Sequence, residues 1–433
     1  MSEQHTEEPQ HISKNDLDDI DTNKQTDDNI NKISEDNEKQ KIHEIESFDE
    51  LIDFADKHTS RPFNENILRG IYNYGYEKPS KIQSLSITPM ILGNDMIAQA
   101  PSGTGKTAAF TIGTLYHIDP ENKNVQAIII APTRELACQI NCVVAAISQH
   151  MNIKTCLCIG GISTTKDNIQ KLREGCHIVV GTPGRLNDLI KREALMTTYV
   201  KIIVMDEVDE LLRDTFVFQI QSIIKSIDND TAYICLFSAT LSQHSLNVTQ
   251  NFLRDPVNIL VEKEKLSLEG IKQYYVDVVY DDYKLSVLCD LYKHLLIAQS
   301  IVFVNSKEKS IEVAENFTSN DYNVAVINGS MTSEERENVM KRFRQGDCRV
   351  LIATDIISRG IDVQQVNVVI NYDIPRIDNK ESYLHRIGRS GRYGRKGLAI
   401  NFVTKKSENA LNTIYRYYNI KKEALPQNVS ELS

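Results

Sequence analysis

Short runs of β-branched and other apolar residues alternate with amphipathic stretches along most of the chain from Ile67 onward. This alternation is typical of a parallel β-sheet that is covered by helices. The candidate strands form two sets, so the sequence predicts an α/β chain with two sheets. The first set is 95–98, 127–131, 154–159, 177–181, 201–205 and 232–237, and the second is 271–279, 300–305, 323–327, 349–353, 366–371 and 398–403.

Residues 261–270 (VEKEKLSLEG) separate the two sets and are charged, short and free of a strand pattern. This composition suits a linker between domains. Residues 1–47 are rich in Asp, Asn, Glu, Lys and Gln and lack a sustained helix or strand period, which favours disorder. We therefore expect a disordered acidic tail at 1–47, a first domain at 48–260, a linker at 261–270 and a second domain at 271–433.

Composition and charge narrow the class of protein. Hydrophobic residues make up 41% of the chain and charged residues 25%, as in ordinary globular proteins, and no apolar run approaches the ~18 residues of a membrane helix. We expect no membrane partner. The tail holds 14 Asp and Glu against 5 Lys, so it accounts for −9 of the net charge of −10. The nearly neutral remainder neither supports nor excludes binding of nucleic acid.

The eight cysteines lie mostly in apolar stretches rather than at the spacings of zinc ligands. We expect reduced core residues of an intracellular protein. Cys156 and Cys158 are one residue apart in an apparent strand, and we expect them to point to opposite faces, which argues against joint metal binding.

The strongest local signal is residues 100–107 (APSGTGKT), which follow a strand candidate and precede a helical run. The loop is predicted to bind the phosphates of ATP, with Gly103 and Gly105 letting backbone N–H groups turn inward and Lys106 reaching the β- and γ-phosphates. Thr107 is expected to hold Mg²⁺ through its hydroxyl. Ala100 replaces the first glycine of the general pattern, and the predicted loop includes Pro101, Ser102 and Thr104.

Residues 206–209 (DEVD) place carboxylates directly after the strand candidate 201–205. Ligands bind at the carboxyl edge of a parallel sheet. Asp206 is predicted to hold Mg²⁺, directly or through water, and Glu207 to orient and deprotonate the attacking water. A helix N-terminus that is enriched in acids is the alternative for Asp209 and Glu210.

An aromatic ring and a side-chain amide precede the phosphate loop at Tyr76 and Gln83, with Lys78 between them. A flat ring and an amide that both donates and accepts suit an adenine, and would favour ATP over GTP. From the residues alone, Tyr76 is as well explained as a core aromatic.

Further motifs follow in order, and together they resemble the DEAD-box helicases over about residues 63–433. They are Gln83, 100–107, 132–137 (PTRELA), Gly160 and Gly161, 182–185 (TPGR), 206–209, 238–240 (SAT), 353–355 (ATD), 358–362 (SRGID) and 385–392 (HRIGRSGR). The resemblance implies two tandem RecA-like domains and an ATP-dependent RNA helicase. Within the family, residues 68–82, 266–273 and 360–366 are most similar to the translation initiation factor 4A group.

The resemblance also implies roles for single residues. Arg389 and Arg392 are expected to act as arginine fingers, because a planar guanidinium neutralises charge on the transferred phosphoryl group. Gly360 and Asp362 are expected beside the nucleotide, with Asp362 at the ribose. Ser238, Thr240 and His385 are expected to couple the acidic site to closure of the two domains. The implied RNA contacts, to phosphates and sugars, are Pro132, Thr133, Arg134, Gly161, Thr182, Arg185, Arg336, Thr354 and Asp355.

The chain departs from the family pattern at a few positions. Val208 stands where the family has Ala, Ser333 where Gln is usual and Asn328 where His is common. Phe48 and Phe63 are both candidates for the upstream aromatic, although neither has the usual spacing from Gln83. We expect Val208 to preserve activity, since all three carboxylates are present, and Ser333 to remove one polar contact to RNA.

Several alternatives remain open from the sequence. The expected enzyme unwinds short RNA duplexes in translation initiation, and the alternative is an ATP-locked RNA clamp in an exon-junction or ribosome-assembly complex. The expected partners are single-stranded RNA, bound without sequence preference, and a scaffold or stimulating protein that bridges both domains. We expect a cytoplasmic monomer, with the nucleus as the alternative location.

Overall fold

The computed structural model describes residues 42–100, 103–161, 164–212, 215–227, 232–241, 243–260, 271–294, 299–320, 322–355, 366–377, 380–390 and 397–426. Several predicted features lie outside these residues: the tail up to residue 41, the linker 261–270, and Pro101, Ser102, Gly360, Asp362 and Arg392. Within the described part of the chain, no helix combines the length and apolar character needed to cross a bilayer.

The first lobe, residues 42–260, is built on a seven-stranded parallel sheet in the order β3-β4-β2-β5-β6-β1-β7. Its strands are β1 (Met96–Gln99), β2 (Ala127–Ile130), β3 (Thr155–Cys158), β4 (Ile178–Gly181), β5 (Ile202–Asp206), β6 (Tyr233–Ser238) and β7 (Val257–Leu260). Its helices are α1 (Glu50–His58), α2 (Glu65–Asn73), α3 (Lys81–Ile91), α4 (Lys106–His117), α5 (Arg134–Ile147), α6 (Thr165–Arg173), α7 (Pro183–Lys191), α8 (Val208–Leu211), α9 (Val217–Lys225) and α10 (Gln243–Thr249).

The central strands of this sheet are apolar along their whole length because helices cover both faces. Side chains of β2 alternate between two cores: Ile129 packs in one apolar cluster and Ile128 in the other. Capping residues set where the helices begin. The Thr133 hydroxyl accepts the Leu136 N–H at the start of α5, and Thr164 forms a capping box with Asp167 at the start of α6.

The second lobe, residues 271–426, contains a six-stranded parallel sheet in the order β10-β11-β9-β12-β13-β8. The strands are β8 (Ile271–Val279), β9 (Ser300–Phe303), β10 (Val324–Ile327), β11 (Val350–Ala353), β12 (Val368–Asn371) and β13 (Gly397–Thr404). The helices are α11 (Lys284–His294), α12 (Lys307–Thr318), α13 (Ser333–Arg344), α14 (Glu381–Ile387) and α15 (Glu408–Tyr417), with a 3₁₀ turn at Asp281–Tyr283.

The predicted fold class is confirmed: two α/β lobes with parallel sheets flanked by helices. Every strand that the sequence predicts is present, with bounds that shift by at most two residues. Strand β7 was missed. Its sequence is only four residues long and directly precedes the charged linker, so it lacks the length that a periodic pattern needs.

Two expectations require correction. Residues 42–47 were assigned to the tail, but Ile45 is buried and its N–H donates to the Ser84 carbonyl at 3.2 Å, so these residues pack on the first lobe. Cys156 and Cys158 were expected on opposite faces, yet their Sγ atoms are 3.7 Å apart in one core. Strand side chains repeat with a period of two, so residues separated by one position share a face.

Candidate functional site

Three neighbouring strands of the first sheet bring the predicted chemistry to one edge. Strands β5, β6 and β1 are adjacent in the sheet. Asp206 ends β5, Ser238 ends β6, and the phosphate loop follows β1. Because all three strands are parallel, their carboxyl ends meet at the same edge, where ligands of such sheets bind.

The phosphate loop depends on glycine in two places. Gly103 and Gly105 have φ of 80° and 96°, in the left-handed region, and Gly105 directly precedes α4. A Cβ on Gly105 would lie 2.4 Å from the Nε2 of Gln83, so no side chain fits there. Lys106 is buried, and its Nζ donates to the Ala100 carbonyl at 3.0 Å. The loop therefore holds an ammonium group at a helix N-terminus, an arrangement that suits an anion.

Gln83 joins the predicted adenine segment to the phosphate loop. Its Oε1 accepts the Ser80 N–H at 2.8 Å, and its Nε2 donates to the Gly105 carbonyl at 3.2 Å. Tyr76 is half-buried and stacks on Tyr74, with ring centroids 5.2 Å apart. Gln83 thus fixes the start of α3 and the turn into α4 together, so that displacement of one moves the other.

The acidic residues after β5 are strained and buried. Glu207 adopts a left-handed backbone with φ of 53°, which is costly for a residue with a side chain. One of its carboxylate oxygens, Oε2, is buried without a hydrogen-bond partner among the described residues. Burial, followed by the nearby Glu207 charge, raises the pKa of Asp206 to about 7, although Lys106 opposes the rise. An added cation would relieve both carboxylates.

Asp209 connects this site to the second lobe. Its oxygens accept hydrogen bonds from Ser238 Oγ at 2.6 Å and Thr240 Oγ1 at 3.2 Å. The Nε2 of His385, on α14 of the second lobe, lies 3.8 Å from Asp209 Oδ2, and His385 is fully buried. The groups expected to couple the two lobes are therefore in contact.

The donors at this edge fit Mg²⁺ at one place. Ligand atoms of Glu207, Asp209 and His385 lie within 4.8 Å of one another, but Asp209 already accepts two hydroxyl hydrogen bonds and imidazole is a poor ligand for a hard cation. Asp206 is a buried carboxylate with a raised pKa, and Thr107 supplies a hydroxyl at the start of α4. These oxygen donors are the ones that fit.

Arginines of the second lobe are held by short contacts around α14. Arg386 is fully buried, and its Nε donates to Asp355 Oδ1 at 2.5 Å. Its other nitrogens donate to the Asp373 carbonyl at 2.6 Å and to Asn305 Oδ1 at 2.7 Å. Arg389 is half-buried, and its Nε donates to the His385 carbonyl at 3.2 Å.

A cavity of about 730 Å³ lies between the two lobes. Both lobes contribute to its wall, the first through residues after β2, β3 and β4 and the second through α13 and the segment after β11. It is lined by Pro132, Thr133, Arg134, Glu135, Gly160, Thr165, Thr182, Gly184, Arg185, Asp188, Glu210, Phe216, Gln219, Arg336, Asp355 and Ser382. Arg185 is held toward it by Asn168, whose Oδ1 accepts from its NH1 at 2.6 Å.

Comparison with known proteins decides the family. The DEAD/DEAH box helicase model matches residues 80–248, and the helicase conserved C-terminal domain matches residues 283–394. Eukaryotic initiation factor 4A of Drosophila melanogaster is 50% identical over 368 residues, which is 85% of this chain and 90% of that protein. This chain belongs to the DEAD-box family of ATP-dependent RNA helicases.

Two further relatives agree with that assignment. A protein of Emericella nidulans named ATP-dependent RNA helicase eIF4A is 48% identical over 390 residues, 90% of this chain and 96% of that protein. The structure of S. cerevisiae Dbp5 bound to RNA and ADP BeF3 superposes with a TM-score of 0.80 at 33% identity, covering 90% of this chain and 98% of that one.

Most of the RNA contacts expected of a DEAD-box helicase share the cavity wall. Pro132, Thr133, Arg134, Thr182, Arg185, Arg336 and Asp355 line it. Gly161 and Thr354 are absent from its lining, although Gly160 and Asp355 beside them are present. The Thr133 hydroxyl caps α5, and the Asp355 carboxylate accepts from Arg386 and Ser382, so each has a structural contact as well.

Sequence reasoning missed several residues of the cavity wall. Glu135 forms an ion pair with Arg336, and Gln219 has a buried Oε1 without a hydrogen-bond partner among the described residues. Phe216 contributes apolar surface beside it. Glu135 lies inside the motif at 132–137, which was the available signal. Gln219 lies within a helical stretch that carries no distinguishing pattern.

The departures from the family pattern have different surroundings. Val208 is fully buried in the core of the first lobe, whereas Phe48 and Phe63 are both buried in its other core and cannot reach a nucleotide. Asn328 closes a turn, with its Oδ1 accepting from Ser330 and its Nδ2 donating to Ser310. The side chain of Ser333 lies outside the described residues.

Proposed function

We propose that this helicase unwinds short RNA duplexes locally, by closing its two lobes around ATP and single-stranded RNA, and that it acts in translation initiation. The observation that carries the proposal is the contact between His385 and Asp209. It joins the acidic site of the first lobe to the helix that precedes the two predicted arginine fingers. Neither lobe holds a complete set of catalytic groups.

The first lobe supplies nucleotide binding and the general base in this proposal. Lys106 neutralises the β- and γ-phosphates, while Thr107 and Asp206 hold Mg²⁺. When bound, Mg²⁺ screens phosphate charge and orients the phosphate oxygens. Glu207 orients the attacking water and takes its proton, a role that suits its buried oxygen without a partner.

The second lobe supplies positive charge in this proposal. Arg389 and Arg392 neutralise the charge that spreads over the transferred phosphoryl group, and Asp362 contacts the ribose. His385 reports the state of the acidic site to α14 through Asp209. RNA lies in the cavity between the lobes, where contacts to phosphate and sugar would bind any sequence.

ATP and RNA should bind cooperatively, because each is held by both lobes. By linkage, RNA then tightens ATP binding by the same factor as ATP tightens RNA binding. A scaffold protein that holds both lobes near each other would stimulate turnover without adding a catalytic group. A cytoplasmic location follows from the role in translation.

Steady-state ATP hydrolysis with and without single-stranded RNA tests the enzyme. We expect strong stimulation by RNA, little hydrolysis of GTP, and loss of stimulation in Arg389→Ala, with unwinding of a short duplex measured in parallel. RNA-independent hydrolysis would contradict the two-lobe site. Binding of ATP and RNA without turnover would favour the alternative, an RNA clamp that waits for a partner.

The role in translation needs a separate experiment. We expect wild-type protein, but not Arg389→Ala, to restore synthesis of a reporter in an extract depleted of its own initiation factor 4A. Failure to restore synthesis by an active ATPase would point to the exon-junction or ribosome-assembly alternative.

A further inference from the structure

The contact between α5 of the first lobe and α13 of the second contains an ion pair inside the cavity. Arg336 NH1 donates to Glu135 Oε1 at 3.1 Å, and the two side chains are only 16% and 25% exposed. The other nitrogens of the guanidinium are fixed by its own lobe, since Nε and NH2 donate to the Met331 carbonyl at 3.2 and 3.1 Å. Arg336 is therefore oriented by one lobe and bonded to the other.

This geometry changes what Arg336 can do. A free arginine in an RNA cavity would neutralise a phosphate, but Glu135 already neutralises this one. Pairing in a partly buried place strengthens the attraction between the two charges and weakens the attraction to a third group. The pair is thus better suited to joining the lobes than to binding RNA.

A second observation shows that the same two helices meet beyond this pair. Cys138 lies one turn along α5 from Glu135. Burial raises the pKa of its thiol to about 11, with the charges of Glu135, Cys142 and Glu337 adding to the rise and Arg344 opposing it. Glu337 and Arg344 belong to α13, so the contact extends over two turns of that helix.

We propose that Glu135 is a positioning residue whose ion pair with Arg336 fastens α5 to α13 and holds the lobes in the arrangement that brings His385 to Asp209. The inference rests on the proposed function and deepens it, because it assigns Arg336 to closure rather than to phosphate binding. Loss of the pair should lower the RNA-stimulated rate while leaving hydrolysis without RNA unchanged.

Charge exchange tests the pair directly. We expect Glu135→Arg and Arg336→Glu each to lower the RNA-stimulated kcat about tenfold, and the double variant to recover to within about threefold of wild type, as coupled charges do in double-mutant cycles. If Arg336 binds a phosphate instead, the double variant carries a glutamate against RNA. Its KM for RNA then stays raised, and that result overturns the proposal.

A matched pair elsewhere controls for charge reversal itself. Lys293 and Asp290 form an exposed ion pair at 2.9 Å on α11. Reversing either charge there should leave kcat and the KM for RNA unchanged. Thermal unfolding of all variants separates a failure to fold from a failure to close, and the Arg336→Gln variant, which adds no charge, should show a smaller loss of kcat than Arg336→Glu.

The native cysteines provide a readout that does not depend on hydrolysis. Cys138 is half-buried beside α13, and Cys142 is exposed on the same helix. With RNA and ADP–BeF₃ bound, alkylation by iodoacetamide, followed by mass spectrometry, should be slower at Cys138 than at Cys142. Arg336→Glu should speed alkylation of Cys138 several-fold, although the added negative charge by itself would raise the thiol pKa and slow it.

The two readouts separate the inference from the proposed function. If wild type hydrolyses ATP in response to RNA but Cys138 reacts equally fast in Arg336→Glu, the ion pair does not hold the lobes. If the charge exchange controls Cys138 reactivity while RNA fails to stimulate hydrolysis, the pair stands and the proposed function falls.

Discussion

The two lobes treat their buried charges in opposite ways. In the first lobe, Asp206 and Glu207 are buried side by side, the pKa of Asp206 is raised to about 7, and Glu207 Oε2 lacks a partner among the described residues. In the second lobe, Arg386 is just as deeply buried but donates to Asp355, Asp373, Asn371 and Asn305 and lies over the Phe303 ring.

This difference shows how the work is divided between the lobes. Buried carboxylates without counter-charges are unfavourable until a cation and a water arrive, so the first lobe stores the energetic incentive to bind ligands. A fully bonded guanidinium gains nothing from a ligand, but it fixes the backbone around it. The first lobe therefore carries chemistry at the expense of stability, and the second carries geometry.

Removing the carboxylate of Glu207 should have the largest effect on activity. We expect Glu207→Gln to lower RNA-stimulated kcat by about 10²–10⁴-fold, the usual contribution of a general base. The same change should stabilise the protein slightly, because it removes a buried charge, and this combination distinguishes the first lobe from the second. Steady-state hydrolysis and thermal unfolding measure the two effects.

A nearby control is Glu121→Gln, which changes an exposed acid of the same lobe. It should alter neither quantity. If Glu207→Gln destabilises the protein instead, its carboxylate has a structural partner and the contrast between the lobes fails at this residue.

Removing Arg386 should have the largest effect on stability. Arg386→Ala leaves Asp355 without its charged partner and empties a buried site, so we expect a loss on the order of 3–5 kcal/mol. Urea unfolding measures it, with the exposed Arg416→Ala as control. A loss below about 1 kcal/mol would mean that the network around Arg386 is not what holds α14.

How far sequence predicts these features depends on the distance over which they act. The strands and the phosphate loop are local patterns, so periodicity and spacing locate them. Arg386 stands inside a recognised motif, but its burial depends on Asn305 and Asp373 from two other strands. Glu135 and Arg336 are 201 positions apart. No local rule pairs them, and only the arrangement of the two sheets brings them together.

The first lobe should also be the more acid-sensitive one. Burial lowers the pKa of His117 to about 4, while its Nε2 lies 2.8 Å from the Met90 carbonyl. The unfolded chain, with an ordinary histidine pKa of about 6.5, then binds more protons than the folded one between pH ~6.5 and ~4. Stability must fall as pH falls through this window, by on the order of 3 kcal/mol.

Hydrogen exchange resolved by lobe, measured between pH 7 and 4.5, tests this expectation. His117→Phe should flatten the pH dependence of the first lobe, since it keeps an aromatic ring against Tyr116 and Tyr233 and removes the titrating group. Equal loss of protection in both lobes would assign the acid sensitivity to other groups.

The smallest effect is expected at Val208, and it tests whether chemistry and stability are separable within the first lobe. Val208 lies between the two catalytic carboxylates in sequence, yet its side chain is fully buried in an apolar core and points away from them. Val208→Ala removes two methyl groups from that core and should cost about 1–2 kcal/mol of stability. Because Glu207 already holds its left-handed backbone with φ of 53°, and Asp209 is fixed by Ser238 and Thr240, the carboxylates should stay in place. RNA-stimulated kcat at 25 °C should therefore change less than twofold while the unfolding midpoint drops. A larger fall in kcat at full folding would show that the buried face of α8 sets the position of the catalytic acids.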